Sequence, residues 1–153
     1  MAWFQLIQII AIVAGWIIVH KFSVARDRDK ARREMIAKTV DGLVDEISKL
    51  LSIATTYHTE LRNPSKENEL KVALQDMTGR VALFSDISSD IAELAAIRTS
   101  IVGLRKAMTG KHFEDEHNSQ LVQNSEQMQL IAEASLMVKR KLTKLKYCQF
   151  SLR

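Results

Sequence analysis

The densest cluster of potential metal ligands in the chain lies between His112 and His117. Imidazole and carboxylate groups bind zinc, and one helical zinc motif has the pattern His-x-x-Glu-His. Here the spacing is one residue too long: His112 and Glu116 would share a helix face, but His117 would point elsewhere. A metal-dependent enzyme that uses these three residues is therefore the hypothesis that we rank last, and we expect a solvated loop or first helical turn.

The rest of the sequence shows no spacing typical of a catalytic centre. His58 follows Tyr57 in a helical stretch and is expected to flank the core, and Cys148 has no histidine and acid grouped near it. Gly-rich phosphate loops and the Gly-x-Ser-x-Gly and His-Glu-x-x-His motifs do not occur. The sequence therefore predicts a protein that is not an enzyme and that has no cofactor.

The elements that position these residues begin with an uncharged run. Residues 2–19 (AWFQLIQIIAIVAGWIIV) would span roughly 27 Å as a helix, enough for the hydrocarbon core of a bilayer. Residues 23–25 spell a signal-peptide cleavage site, but no lysine or arginine precedes the run, and the run is longer than the apolar part of a usual signal. We therefore predict an uncleaved transmembrane anchor at residues 1–20; a cleaved signal and a buried core helix are the alternatives.

A basic segment follows the run and sets the expected orientation. Six cations and two acids between residues 21 and 33 give a net charge of +4. Because basic flanks stay in the cytoplasm, we expect the N-terminus outside the inner membrane and the remaining chain in the cytoplasm, with Trp3 and Trp16 at the two interfaces. The cations would contact anionic lipid headgroups or act only as the topology signal. They are Lys21, Arg26, Arg28, Lys30, Arg32 and Arg33.

Two glutamines within the run need an explanation, because an unpaired amide in hydrocarbon is costly. Gln5, Gln8, Ala11 and Gly15 fall on one helical face, and the last two form a small-xxx-small pair. Polar side chains and a close backbone approach are how membrane helices associate. We predict self-association through this face; the alternative is that Gln5 reaches the outer headgroups and Gln8 is tolerated.

The remainder of the chain has the composition of one helical domain. One cysteine excludes an intrachain disulfide, and one proline and five glycines in 153 residues are too few for a multi-stranded sheet. The whole chain has a net charge of +4, which is also the net charge of residues 21–33. Residues 34–153 are therefore neutral overall, and a neutral domain is not typical of a protein that binds nucleic acid. We expect a basic juxtamembrane segment at 21–35, a cytoplasmic bundle at 36–148 and a tail at 149–153. The expected partners are lipids, a second copy of the chain and an unidentified protein.

Apolar residues recur at spacings of three and four along this domain, as in amphipathic helices and coiled coils. The pattern predicts an all-α fold, in which the transmembrane helix continues to about Arg62 and further helices pack against it as an antiparallel bundle. Asn63 and Pro64 are suited to cap and begin the second helix. The four stripes are Ile36, Val40, Leu43, Ile47, Leu50, Ala54, Tyr57 and Leu61; Leu70, Leu74, Met77, Val81 and Phe84; Ile91, Leu94, Ile97, Ile101, Leu104 and Met108; and Leu121, Met128, Ile131, Val138, Leu142 and Leu145.

The number of helices depends on residues 88–90, Ser-Ser-Asp. The apolar pattern slips in phase near Ile87, and Asp90 with Glu93 has the spacing of a capping box, which predicts a break and four helices. A continuous helix with a phase slip, and therefore a bundle of three longer helices, is the alternative.

The last helix is basic towards its end. We expect it to follow a stop at residues 109–110, to begin between Glu114 and Ser119 and to end near Tyr147. Its cations would favour the negative end of the helix dipole or bind an acidic partner or anionic lipid. With four helices, this end returns to the membrane and forms one collar with residues 21–33 at the headgroups. The cations are Lys139, Arg140, Lys141, Lys144 and Lys146.

Two short stretches carry a family resemblance. The motifs GWIIVHK at 15–21, RDR at 26–28 and RR at 32–33 look like the start of uncharacterised bacterial single-pass membrane proteins with helical cytoplasmic domains. The segment RKAMTG at 105–110, with Phe113, is similar to a later segment in some of them. The resemblance implies a bacterial inner-membrane protein and no particular activity.

These patterns lead to two hypotheses that involve no enzyme. The favoured one is a membrane-anchored assembly or adaptor protein that recruits itself or a partner at the inner membrane. The alternative is a membrane-disrupting or signalling effector, of a prophage or defence type, that oligomerises through its transmembrane helix.

Overall fold

The computed structural model describes residues 2–61, 63–84, 91–110, 113 and 125–151, and these residues form four helices. The prediction of an all-α fold with four helices is confirmed. The chain divides into two compact units, Met1–Met35 and Ile36–Arg153. The helices are α1 (Ala2–Thr59), α2 (Pro64–Phe84), α3 (Ile91–Met108) and α4 (Glu126–Ser151).

The core of the unit Ile36–Arg153 consists of the predicted apolar stripes. The seven stripe residues from Ile36 to Tyr57 are each at most 2% exposed, and those stripe residues of the other three helices whose side chains the structure describes are buried as well. Each fully buried aliphatic side chain contributes about 1.5–3 kcal/mol. Leu61 is the exception: α1 ends at Thr59, before the predicted end at Arg62, and Leu61 lies beyond the helix with 76% of its surface exposed. The prediction that Leu61 belongs to the stripe is therefore wrong.

Polar contacts between neighbouring helices define the topology. Near one end of the bundle Lys146 of α4 contacts Asp41 of α1, and farther along α1 Lys139 contacts Ser48, so these two helices are antiparallel. The same reasoning makes α2 antiparallel to α1 and α4 antiparallel to α3. The contacts that show it are Arg80–Glu46 and Tyr57–Glu67 for α1 and α2, and Gln127–Ala107 and Lys141–Ala96 for α3 and α4. The order is therefore up-down-up-down.

The turn between α1 and α2 is closed by the predicted cap. The Ser65 N–H donates to Asn63 Oδ1 at 3.0 Å, and the Glu67 N–H donates to the Asn63 carbonyl at 3.1 Å. Pro64 begins the helix at a position where a missing N–H costs nothing. Lys66 and Glu60 form an ion pair across the turn.

We expect Asn63→Ala to destabilise the full chain by about 1 kcal/mol, because the cap loses its side-chain acceptor. Urea unfolding followed by circular dichroism measures the change. Asn63→Ser keeps an acceptor and should retain most of the stability. An alanine variant as stable as the native chain would contradict the prediction.

The breaks on either side of α3 agree only in part with the sequence. Residues 85–90, with Ile87 and the capping sequence at 88–90, lie outside the described residues, and α3 begins at Ile91. Helix α3 ends at Met108, immediately before the predicted stop at residues 109–110.

Helix α4 begins at Glu126, so the predicted start between Glu114 and Ser119 is wrong. Ser125 is its cap, since Ser125 Oγ accepts the Met128 N–H at 3.4 Å. Leu121 lies outside the described residues.

In the unit Met1–Met35 the described side chains are almost all exposed. Within the described residues, no helix combines the length and the apolarity that a membrane crossing requires. The anchor at residues 1–20, the domain boundaries drawn from it and the basic collar stay predictions.

Candidate functional site

A buried polar cluster lies where the end of α1 meets the start of α2. The Tyr57 hydroxyl donates to Glu67 Oε1 at 3.0 Å, and the two residues are 1% and 6% exposed. Glu67 lies in the first turn of α2, where the helix dipole favours a negative charge. The Tyr57 ring contacts the rings of His58 and Phe113, with centroids 5.0 and 5.3 Å away. The cluster therefore joins α1 to α2 and to Phe113, which lies beyond the end of α3.

His58 and Gln127 together cap the C-terminal end of α3. His58 is fully buried, and its Nε2 donates to the Met108 carbonyl oxygen at 2.9 Å, which requires the proton on Nε2. The Gln127 amide donates to the carbonyl of Ala107. These carbonyls have no partner within α3, so α1 and α4 supply the donors. Because His58 is buried, it is not placed to act as a base on a substrate.

The amide end of Gln127 also lies close to Gly110. A Cβ atom added to Gly110 would lie 2.9 Å from Gln127 Nε2, closer than real Cβ contacts. The small residue lets the glutamine reach the end of α3.

A pocket of about 510 Å³ lies between α2 and α3, next to the buried cluster. Phe113 forms one wall, and Lys71 Nζ lies 5.5 Å from the centroid of its ring. Arg105 and two polar residues, Gln75 and Thr109, complete a cationic lining without an acid among the described residues. Its described lining residues include no histidine, cysteine or carboxylate.

Most of the predicted cations of α4 contact neighbouring helices. Lys139 Nζ donates to Ser48 Oγ at 2.8 Å, and Lys146 Nζ donates to the Asp41 carboxylate at 2.7 Å. Lys141 Nζ donates to the Ala96 carbonyl of α3 at 3.1 Å. Lys144 pairs with Glu93 of α3, while Arg140 is exposed. Four of the five cations therefore hold α4 against α1 and α3, a role that was not predicted from their sequence positions.

The predicted sites before the bundle all lie on α1. Gln5, Gln8 and Gly15 are exposed, and a Cβ atom on Gly15 would meet nothing within 4 Å; Ala11 lies on the same helix. Five of the six headgroup cations are exposed, and the sixth, Arg33, donates from Nε to the Asp29 carbonyl at 3.2 Å. The exposed five are Lys21, Arg26, Arg28, Lys30 and Arg32.

A groove of about 540 Å³ runs between α3 and α4 on the outside of the bundle. Gly103 and Ala107 of α3 and Ala134 of α4 are small lining residues, and Leu130 and Met137 form its α4 wall. We call this the α3–α4 groove. The groove was not predicted from the sequence, although Leu130, Ala134 and Met137 repeat the spacing of four and three on a second face of α4.

The described residues contain no group of three histidine, cysteine or acidic side chains placed to hold a metal ion. The hypothetical ligands His112, Glu116 and His117 lie outside those residues. Cys148 is half-buried on α4 and forms no disulfide in the described residues. Comparison with protein-family models, curated proteins and solved structures gives no match to this chain.

Proposed function

We propose that this chain is a non-enzymatic, membrane-anchored helical-bundle protein that acts by recruiting a second copy or a partner at the inner membrane. Residues 2–19 form the transmembrane segment, with the N-terminus outside and the bundle in the cytoplasm. The proposal includes the bacterial origin that the sequence resemblance implies.

The main support for the proposal is the exposed apolar surface of α1 between residues 12 and 19. Six large apolar residues between positions 12 and 19 are each at least 45% exposed. Successive helical residues are about 100° apart, so these side chains surround the helix. A helix that is apolar on all sides is stable when other protein or lipid covers it. The six are Ile12, Val13, Trp16, Ile17, Ile18 and Val19.

The residues that follow are suited to a membrane interface. The rings of Trp16 and His20 stack with centroids 5.4 Å apart, and amphipathic rings are enriched at headgroup depth. Lys21 and the cations up to Arg33 come immediately afterwards. Their sequence position supports an inner-membrane, N-out orientation through the positive-inside rule.

The chemistry of the bundle supports recruitment over catalysis. Its core is mainly apolar, and His58 and Glu67 lie buried in contacts that join helices. The surface instead offers exposed apolar side chains beside the α3–α4 groove, and such patches mark interaction sites.

Alkaline extraction and thiol labelling of the full chain test the anchor and its orientation. We expect the chain to stay in membranes washed with carbonate. Cys148, the single cysteine, should react with a membrane-impermeant maleimide only after the cells are lysed, while Ala2→Cys in a Cys148→Ser background should react in intact spheroplasts. Release by carbonate would refute the anchor, and labelling of Cys148 in intact spheroplasts would refute the orientation.

Crosslinking in native membranes tests the mode of action. We expect a homo-oligomer or a stoichiometric complex with another protein. A chain recovered only as a monomer would refute recruitment.

The effector alternative requires that induction of the chain lowers the membrane potential, and that Gln5→Leu with Gln8→Leu relieves this loss. An unchanged membrane potential on induction would exclude the alternative.

A further inference from the structure

We infer that the α3–α4 face is a dimer interface, which binds the same face of a second copy about a two-fold axis parallel to the bundle helices. The inference rests on the proposed function and names the partner and the surface. Rotation about this axis leaves the direction of every helix unchanged, so Ile36 of both copies lies at the same end of the dimer. Two chains that are anchored in one membrane require this arrangement.

The exposed apolar side chains match across this axis. Val102 of α3 is 54% exposed, and Leu130 and Met137 of α4 are 47% and 55% exposed. Gly103, which follows Val102, lines the α3–α4 groove, and an added Cβ there would meet nothing within 4 Å. The groove can therefore accept the Leu130–Met137 ridge of the second copy, and ridges packed into grooves are the usual contact between helices.

The register of α3 against α4 places these residues at the same height. Within one copy Gln127 contacts Ala107, and Lys141 contacts Ala96. Position 102 of α3 therefore lies at about the height of position 133 of α4, which is between Leu130 and Met137. A two-fold axis parallel to the helices keeps these heights, so Val102 of each copy meets the ridge of the other.

Charges on the two rims are complementary in this arrangement. Lys106 and Arg98 are exposed on α3, and Glu126 and Glu133 are exposed on α4. Lys106 and Glu133 form no ion pair in the described part of the chain. In the dimer, Lys106 of one copy lies between the heights of Glu126 and Glu133 of the other. Because the interface is isologous, each attraction occurs twice.

The size of the face indicates a dimer that depends on the membrane. Helix α3 is about 27 Å long, and two packed helices are about 20 Å wide, so the dimer would bury about 1,000 Å² in total. This area is at the lower limit for specific interfaces. Confinement to a bilayer raises the effective concentration of the two copies and favours association.

Energy transfer between full chains in lipid vesicles tests the interface. Donor and acceptor dyes on Cys148 report association as the protein-to-lipid ratio rises. Gly103→Gln fills the groove without a clash inside one copy, and we expect it to shift the midpoint at least about tenfold to higher protein density. Gly79→Gln is the matched control, because Gly79 is also exposed in a helix interior with open space at its Cβ. Its midpoint should stay native.

Charge exchange provides a second measurement. Lys106→Glu alone creates repulsion at both rims and should weaken association by about tenfold. Adding Glu126→Lys and Glu133→Lys should restore most of the native midpoint. A variant that merely unfolds would not be rescued in this way.

The results separate this interface from the other sites. Native transfer in Gly103→Gln, or loss of transfer in Gly79→Gln as well, would refute the groove as the contact. Loss of transfer in Gln5→Leu with Gln8→Leu alone would assign the dimer to the transmembrane helix. Absence of transfer in the native chain would refute the dimer, whereas the anchor and partner recruitment depend on the carbonate and crosslinking results.

Discussion

Replacing Ile7 and Ile12 with arginine is expected to release the full chain from carbonate-washed membranes. Both residues lie near the middle of residues 2–19, and they are 60% and 71% exposed. Arginine near the centre of a spanning helix costs about 2.5–3.5 kcal/mol on insertion, so the pair costs about 5–7 kcal/mol. The measurement is the fraction of chain in the membrane pellet.

Two controls accompany this experiment. Ile7→Leu with Ile12→Leu keeps the apolar surface and should leave the chain in the pellet. Val72→Arg with Leu83→Arg changes two exposed apolar positions of α2, which are 51% and 65% exposed, and should also leave it there. If the variant with arginine at 7 and 12 stays in the pellet like these controls, residues 2–19 do not form the anchor.

Tyr57→Ala is expected to produce the largest loss of bundle stability, about 3–5 kcal/mol. The change removes a buried ring from contact with His58 and Phe113 and a hydroxyl donor from the carboxylate of Glu67. This loss is a large part of the 5–15 kcal/mol typical of a folded domain. Urea unfolding of the full chain measures it.

Two further tyrosine variants show how much of the stability loss comes from the Tyr57 hydroxyl and whether the loss depends on burial. Tyr57→Phe keeps the ring and removes only the hydrogen bond to a carboxylate, for which we expect about 1.5–3 kcal/mol. Tyr147→Ala truncates a tyrosine that is 66% exposed on α4 and should cost much less than Tyr57→Ala. Equal losses for Tyr57→Ala and Tyr147→Ala would contradict the assigned role of the buried cluster.

The helices and the core were predictable because the apolar spacing repeats regularly within each helix. Ile36 to Tyr57 and Leu70 to Phe84 are buried as their spacing indicates. The start of α4 was not predictable in the same way. Acidic residues at 114–116 and Ser119 are each suited to a helix start, and only the contact of Ser125 with Met128 identifies the cap.

The polar contacts between helices were harder to predict, because they join residues far apart in sequence. His58 and Met108 are 50 residues apart, and Lys139 and Ser48 are 91 apart. One signal was available: Glu67 continues the stripe of Leu70 one step towards the N-terminus. A charged residue on an apolar stripe indicates a buried partner, here Tyr57.

The antiparallel contact between α1 and α4 has a consequence for synthesis on the ribosome. Asp41 and Lys146 are 105 residues apart, so at about 5–20 residues per second the partner of Asp41 is made roughly 5–20 s later. During this delay the buried face of α1 lacks the helix that completes its cover. We therefore expect nascent chains stalled before α4 to be bound by chaperones and cut by proteases, and protection to arise only when the C-terminus has left the exit tunnel.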